Sequence, residues 1–203
     1  MSDININESY QEHKNTSNEI GKALVSNNLD YALDYAEIGL DAFVTDDILK
    51  EIPIVKTVVG VVKSGLKIKE IFFTKKILTF LKEFHSGKLP EEKLSKFQNE
   101  FNKNESYREK VLQEIMVFND TFLQIEKSKI FANLFAAHLN DVFGWNDFIN
   151  LSYCLNQLNM FGVSLFDDMA KFKTVSWRGI RRHQTALSST KQFWYNLNHR
   201  ESS

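Results

Sequence analysis

A basic and broadly apolar stretch, residues 52–84, constrains the fold of this chain more than any other part of its sequence. At 100° per residue, its aliphatic side chains cover roughly 160° of a helix surface, which is wider than the ~100° stripe of an ordinary surface helix. These side chains are Ile54, Val55, Val58, Val59, Val61, Val62 and Leu66, and the side chains opposite them are Lys56, Lys63 and Lys67. We therefore expect either a helix that several neighbours surround in a core, or a helix that meets an apolar surface outside the protein.

Apolar residues elsewhere in the chain also follow helical spacing. Steps of four and three residues connect Leu29 to Phe43 and Val111 to Ile125, and no alternating run of β-branched residues occurs. Two prolines and eight glycines are too few for an all-β protein with many tight turns. The sequence thus predicts an all-α, single-domain bundle of six or seven helices, with residues 52–84 as a long central basic amphipathic helix.

Local signals predict where several helices begin and end. Pro53 fits the first position of the central helix, because its missing N–H would have no partner there. Gly87 and Pro90 mark the end of that helix, and the acids Glu91 and Glu92 suit the first turn of the next one. Residues 102–104 break the chain again, and Ile130, Leu134, Ala137 and Val142 are expected to form a helical stripe up to Gly144.

The pattern divides the chain into three regions. Residues 1–16 lack apolar periodicity, which predicts a flexible acidic tail. Residues 17–171 form the predicted helical domain. Residues 172–203 are basic and aromatic with poor apolar spacing, which is consistent with a conditionally ordered tail and equally with a packed helix.

Charge alternates along the chain. Residues 1–51 hold 11 acids and 3 bases, 52–89 hold 2 and 8, 90–168 hold 12 and 7, and 169–203 hold 1 and 7. We interpret this as acidic helices that lie beside basic ones, with a basic surface for phosphate or anionic lipid as the alternative. A pI near 6.5 argues against a dedicated nucleic-acid binder.

The single cysteine and the apolar runs bear on the compartment. Cys154 alone excludes an intrachain disulfide and fits a reducing environment, and we expect its side chain to be buried. No stretch approaches the ~18 apolar residues of a membrane span. The sequence therefore predicts a cytoplasmic protein.

Motifs for metals and cofactors are missing from the sequence. Five histidines are scattered, and none has a second histidine or a cysteine three or four residues away, so we expect no metal site. We also expect no cofactor and no small-molecule substrate. His138 is interpreted as a partly buried helical histidine.

One short pattern near the C-terminus has catalytic potential. Arg178 and His183 are separated by four residues, which resembles the Arg-x(4–6)-His signature of HEPN ribonucleases. That resemblance implies His183 as acid and base and Arg178 as a phosphate clamp. Gly179 follows the arginine, where those proteins usually carry a polar residue.

The same region offers a nucleic-acid hypothesis, because arginines can bind phosphate and tryptophans can stack on bases. Its residues are Trp177, Arg178, Arg181, Arg182 and Trp194. We favour the simpler interpretation, in which this basic tail docks on the acidic helices of the same chain.

A wider resemblance covers residues 29–165. The runs 40–43, 47–56, 72–78, 127–135 and 147–158 resemble a family of uncharacterised bacterial helical proteins, some encoded near phage-defence genes or on mobile elements. The resemblance implies no catalytic residues. We therefore predict a non-enzymatic interaction or regulatory protein with a protein partner or self-association, and keep two alternatives: a membrane-acting defence effector that uses residues 52–84, and a HEPN-like ribonuclease.

Overall fold

The computed structural model describes residues 2–26, 52–59, 68–86, 88–159 and 161–162. These residues form seven α-helices and no strand, which confirms the predicted all-α bundle. The helices are α1 (Ser2–Val25), α2 (Pro53–Val59), α3 (Ile68–Phe84), α4 (Glu91–Lys103), α5 (Glu105–Thr121), α6 (Glu126–Leu139) and α7 (Trp145–Gln157). The chain divides into two compact units, Met1–Gln157 and Leu158–Ser203, and all seven helices belong to the first.

Several helix boundaries lie where the sequence predicts them. Helix α2 begins at Pro53, α3 ends at Phe84, and α4 carries Glu91 and Glu92 in its first turn. Asn104 separates α4 from α5, and its side chain accepts a hydrogen bond of 3.1 Å from the backbone N–H of Tyr107. This side-chain cap satisfies one of the unpaired donors at the start of α5.

Helix α3 is the centre of the first unit. It packs most extensively on α6 and also contacts α1, α2 and α5. Ile77, Phe80 and Leu81 on α3 are fully buried, and Ile54 and Val55 on α2 are buried as well. The apolar surface at both ends of the 52–84 stretch therefore lies largely in the core, while residues 60–67 lie outside the described residues.

A continuous stack of phenylalanine rings fills this core. Phe131 of α6 is fully buried, and its ring centroid lies 5.2–5.6 Å from those of Phe80, Phe118, Phe122 and Phe148. Stacked, tilted and edge-on pairs of this kind contribute about 0.5–1.5 kcal/mol each beyond their buried area. The stack joins α3, α5, α6 and α7 through a single ring.

Two buried lysines tie helix ends to the core. The Lys76 ammonium group donates to the carbonyl oxygens of Asp120 (3.1 Å) and Phe122 (2.9 Å) at the end of α5, and Lys127 donates to that of Asn156 (2.9 Å) near the end of α7. The last carbonyls of a helix have no partner inside the helix and carry partial negative charge. A buried ammonium group at these carbonyl oxygens therefore supplies the missing hydrogen-bond donor and balances the partial negative charge.

Polar side chains cap other helix ends in the same way. His85 Nε2 lies 3.1 Å from the carbonyl oxygen of Ala23, and the Gln98 amide donates to that of Val25 at 3.1 Å, so both hold the end of α1. Arg108 Nη1 donates to the carbonyl oxygen of Phe101 at 3.4 Å near the end of α4. Gln98 and Arg108 belong to helices other than the ones that they cap, and His85 lies directly after the end of α3.

The predicted tail over residues 1–16 differs from the structure, in which α1 runs without a break from Ser2 to Val25. Tyr10, His13 and Lys14 are exposed on this helix, and burial begins at Thr16 and continues with Ile20. Extending a helix from a packed turn is much easier than nucleating a new helix, so exposed polar turns can prolong a helix beyond its buried segment. At residues 10, 11 and 13–15 the missing apolar pattern accompanies exposed side chains on a continuous helix.

The predicted stripe on α6 is wrong by one position. Ile130, Leu134 and Ala137 are only half-buried, and Val142 lies beyond the end of the helix and is 69% exposed. The buried face instead consists of Lys127, Ser128, Phe131, Ala132, Phe135 and Ala136. Phe131 and Phe135 orient the helix because aromatic rings bury more surface than the aliphatic side chains beside them.

The expected burial of Cys154 is also wrong, because the thiol is exposed. Helix α7 turns Phe148, Ser152 and Leu155 inward, at spacings of four and three residues. Cys154 lies about 100° from Leu155 around the helix axis and so points away from the core.

Candidate binding cleft

One cleft of the first unit is lined entirely by residues between 93 and 145, a stretch that the structure describes without a gap. Its volume is about 300 Å³, and we call it the basic aromatic cleft. Its lining residues are Lys93, Lys96, Phe97, Glu100, Tyr107, Lys110, His138, Leu139, Asp141 and Trp145. Two other clefts include residues of α2, which is followed along the chain by residues outside the described ranges. The basic aromatic cleft is therefore the one whose chain segments are described most completely.

Four helices supply the walls of the cleft. Lys93, Lys96 and Glu100 follow one another on α4 at spacings of three and four residues, which places them on one face of the helix. Lys110 comes from α5 and His138 from the end of α6. Asp141 lies in the turn after α6, and Trp145 is the first residue of α7.

An ion pair closes one side of the cleft. The Lys93 ammonium group donates to the Asp141 carboxylate, and the two side chains are 31% and 69% exposed. The hydrogen bond to Lys93 holds the pKa of Asp141 below its usual value, and the charges of Lys96 and His138 lower that pKa further. The same pair raises the pKa of Lys93. Both groups are therefore charged at neutral pH.

Aromatic rings form the opposite side. The Lys110 ammonium group lies 4.4 Å from the centroid of the Trp145 ring, within the range of a cation–π interaction. The His138 ring meets Trp145 edge-on at 5.5 Å, and its Nδ1 lies 3.1 Å from the carbonyl oxygen of Phe143. A carbonyl oxygen only accepts, so Nδ1 is the donor and the ring orientation is fixed.

Tyr107 adds a neutral polar group to the floor of the cleft. Burial raises the pKa of its phenol to about 12, and the nearby Glu100 carboxylate contributes to that rise. The phenol therefore stays protonated over the physiological range and can donate a hydrogen bond. Its ring packs edge-on against Phe97 with the centroids 6.4 Å apart.

The cleft suits recognition of a mixed, mainly acidic surface. Three ammonium groups, two carboxylates and a tryptophan line a cleft of about 300 Å³. Within the described ranges, no group of three or more His, Cys, Asp or Glu side chains is placed to hold a metal ion. No helix in the same ranges is long and apolar enough to cross a membrane.

The structure describes few of the site residues singled out from the sequence. Lys56 is exposed on α2, and Val59 ends that helix with a side chain outside the described part. The others lie outside the described residues: Val62, Lys63, Lys67, Trp177, Arg178, Arg181, Arg182, His183 and Trp194. His138 is half-buried in α6, as the sequence predicts.

Sequence reasoning missed the basic aromatic cleft. Residues 90–168 hold 12 acids and 7 bases, and this net negative charge conceals Lys93, Lys96 and Lys110. The usable signal was the spacing of Lys93 and Lys96, which shows a basic face on a helix that begins with two glutamates. The contribution of Trp145 could not be seen, because it depends on how α7 meets α5.

Comparison with known proteins adds no relative: no protein-family model, curated protein or solved structure matches this chain. The resemblances to HEPN ribonucleases and to bacterial helical proteins near phage-defence genes therefore stay predictions.

Proposed function

We propose that this protein is a non-enzymatic interaction module that binds an acidic segment of a partner protein in the basic aromatic cleft. The observation that carries the proposal is the joint placement of Lys96, Lys110 and Trp145 on one concave surface. Tryptophan and tyrosine are enriched among the residues that dominate binding energy at protein interfaces. Ammonium groups around them supply attraction for carboxylates and steer the encounter.

The charges in the cleft favour a protein partner over a nucleic acid. Glu100 lies among the three lysines and would repel a continuous phosphate backbone. Alternating charges instead select one register of a peptide that carries both signs. A volume of about 300 Å³ is at the lower end of ligand pockets, which suits a few inserted side chains.

Three buried titratable groups outside the cleft have perturbed pKa values for a structural reason. Strongly perturbed groups often mark active sites. Burial lowers the pKa values of Lys76 and His85, and the Asp120 charge partly opposes this effect at Lys76. Burial also lowers the pKa of Lys127. Each of these side chains contacts a main-chain carbonyl at a helix end, so its perturbation has a structural cause.

The packing of α3 disfavours the membrane-effector alternative for that half of the 52–84 stretch. Ile77, Phe80 and Leu81 would have to leave the aromatic core before they could meet lipid. Burying a side chain of this size is worth about 1.5–3 kcal/mol, so releasing all three would consume much of the stability of a typical domain. The regulatory setting near phage-defence genes is proposed on resemblance alone.

A peptide titration tests the proposal. We would measure fluorescence anisotropy of a labelled glutamate-rich peptide that also contains leucine and lysine, against the same peptide with glutamine for glutamate. The Lys96→Gln/Lys110→Gln double variant should weaken binding about tenfold, since exposed charge pairs are worth up to about 1 kcal/mol each. Lys103→Gln is the matched control, because Lys103 is exposed in the last turn of α4 and does not line the cleft.

Three outcomes contradict the proposal. They are absence of binding to the acidic peptide, an equal loss of affinity in the Lys103→Gln control, and tighter binding of a single-stranded RNA oligonucleotide through the same lysines.

A further inference from the structure

We infer that the Asp141 carboxylate is a built-in competitor of the partner: it occupies the place that an acidic side chain of the partner takes, and binding displaces it. The inference rests on the proposed function of the basic aromatic cleft. The affinity of the cleft then depends on Asp141, a side chain that the bound partner displaces.

The geometry allows this exchange without a change in the fold. The backbone of the turn is tied to α6, because the N–H groups of Asp141 and Val142 donate to the carbonyl oxygens of His138 (2.9 Å) and Ala137 (3.1 Å). The Asp141 side chain is 69% exposed, and Lys93 is the cation that it contacts. The carboxylate can therefore rotate into solvent while the main chain stays in place.

Aspartate is locally unfavourable at this position. Asp141 has φ of 60°, and it is the one non-glycine residue with positive φ in the part of the chain that the structure describes. Glycine is the usual residue here, just after a helix, although aspartate and asparagine are tolerated better than other side chains. A negative charge also opposes the dipole at the C-terminal end of α6.

The cleft compensates for both unfavourable effects. The Lys93 ammonium group contacts the carboxylate directly, and Lys96 and His138 also favour its charged form. These three groups come from α4 and α6 and line the same cleft as Asp141. The same convergence would stabilise a glutamate or aspartate side chain that a partner inserts at that point.

Two substitutions at position 141 test the inference with the glutamate-rich peptide. Asp141→Asn keeps the shape and the tolerance for positive φ but removes the charge, and Asp141→Gly removes the side chain and suits the backbone. Both should strengthen binding about two- to fivefold, the range expected for the loss of one exposed competing ion pair. In a Lys93→Met background, Asp141→Asn should have a much smaller effect.

Asp147→Asn is the matched control. Asp147 lies in the first turn of α7, is exposed, and does not line the cleft, so its removal changes the net charge equally without opening the site. Equal strengthening by Asp147→Asn and Asp141→Asn would overturn the inference, as would weaker binding by Asp141→Asn.

The two proposals can fail separately. If the unaltered protein binds the peptide through Lys96 and Lys110 but Asp141→Asn brings no gain, only the competition is wrong. If neither the unaltered protein nor the Asp141 variants bind the peptide, both proposals are wrong.

Discussion

The lysines of the core and the lysines of the cleft differ in what surrounds their ammonium groups. Lys76 and Lys127 are 5% and 3% exposed, and their ammonium groups donate to main-chain carbonyls at the ends of α5 and α7. Lys93, Lys96 and Lys110 lie on the surface around a tryptophan and two carboxylates. Under the proposed function, what the ammonium group meets decides whether a lysine contributes to stability or to binding.

The energies of the two groups should differ accordingly. A hydrogen bond from a buried charged group contributes about 1.5–3 kcal/mol, whereas an exposed ion pair contributes about 0–1 kcal/mol. Loss of a core lysine leaves carbonyl oxygens without a donor in an apolar setting, while water replaces the partners of a cleft lysine. Substitutions in the core should therefore change the free energy of unfolding, and those in the cleft should change affinity.

The largest effect is expected at the centre of the aromatic core. Phe131→Ala removes the ring that joins four helices and should lower the free energy of unfolding by about 3–5 kcal/mol. Urea unfolding followed by circular dichroism measures this loss. Leu123→Ala is the control, because Leu123 is 84% exposed and its truncation should cost less than about 0.5 kcal/mol. Comparable losses in both variants would contradict the described core.

A smaller effect is expected from the histidine that caps α1. Burial lowers the pKa of His85, so the folded state favours the neutral ring, whose Nε2–H donates to Ala23. The folded-state pKa thus lies below the unfolded value of about 6.5. The stability from His85 is therefore complete above pH of about 6.5 and is lost as the pH falls towards the folded-state pKa.

Unfolding free energies between pH 7.5 and pH 5 test this expectation. His85→Gln should flatten the decline towards acid pH, whereas His13→Gln should leave its slope unchanged because His13 is exposed. An unchanged slope in His85→Gln would show that the cap of α1 does not control the acid response.

The sequence predicts the elements of this fold better than their orientation. Pro53 and the Gly87–Pro90 region mark helix boundaries by local chemistry, and Val111, Ile115 and Phe118 mark a buried stripe by spacing alone. In α6, however, aromatic and aliphatic residues compete for the core, and the rings decide the orientation. Spacing could not settle that competition, because it depends on the partners that Phe131 meets.

Neither group of lysines could be assigned from the sequence. Lys76 is separated by 46 residues from Phe122, and Lys93 by 48 from Asp141, so no local pattern links either pair. Lys76 follows Lys75 and is typical of a solvated charge in the sequence, yet its side chain is 5% exposed. Only the tertiary packing distinguishes the buried lysines of the core from the lysines of the cleft.

A crossed measurement on Lys76→Met and Lys96→Met tests the central claim most directly, because methionine keeps most of the aliphatic stem of each side chain and removes its charge and its N–H donors. Lys76→Met should lose about 1–3 kcal/mol of unfolding free energy with peptide affinity unchanged. Lys96→Met should stay within about 0.5 kcal/mol in stability and lose about two- to fivefold in affinity. The division between core and cleft lysines would be contradicted if both variants changed stability and affinity alike, or if Lys96→Met were the more destabilising.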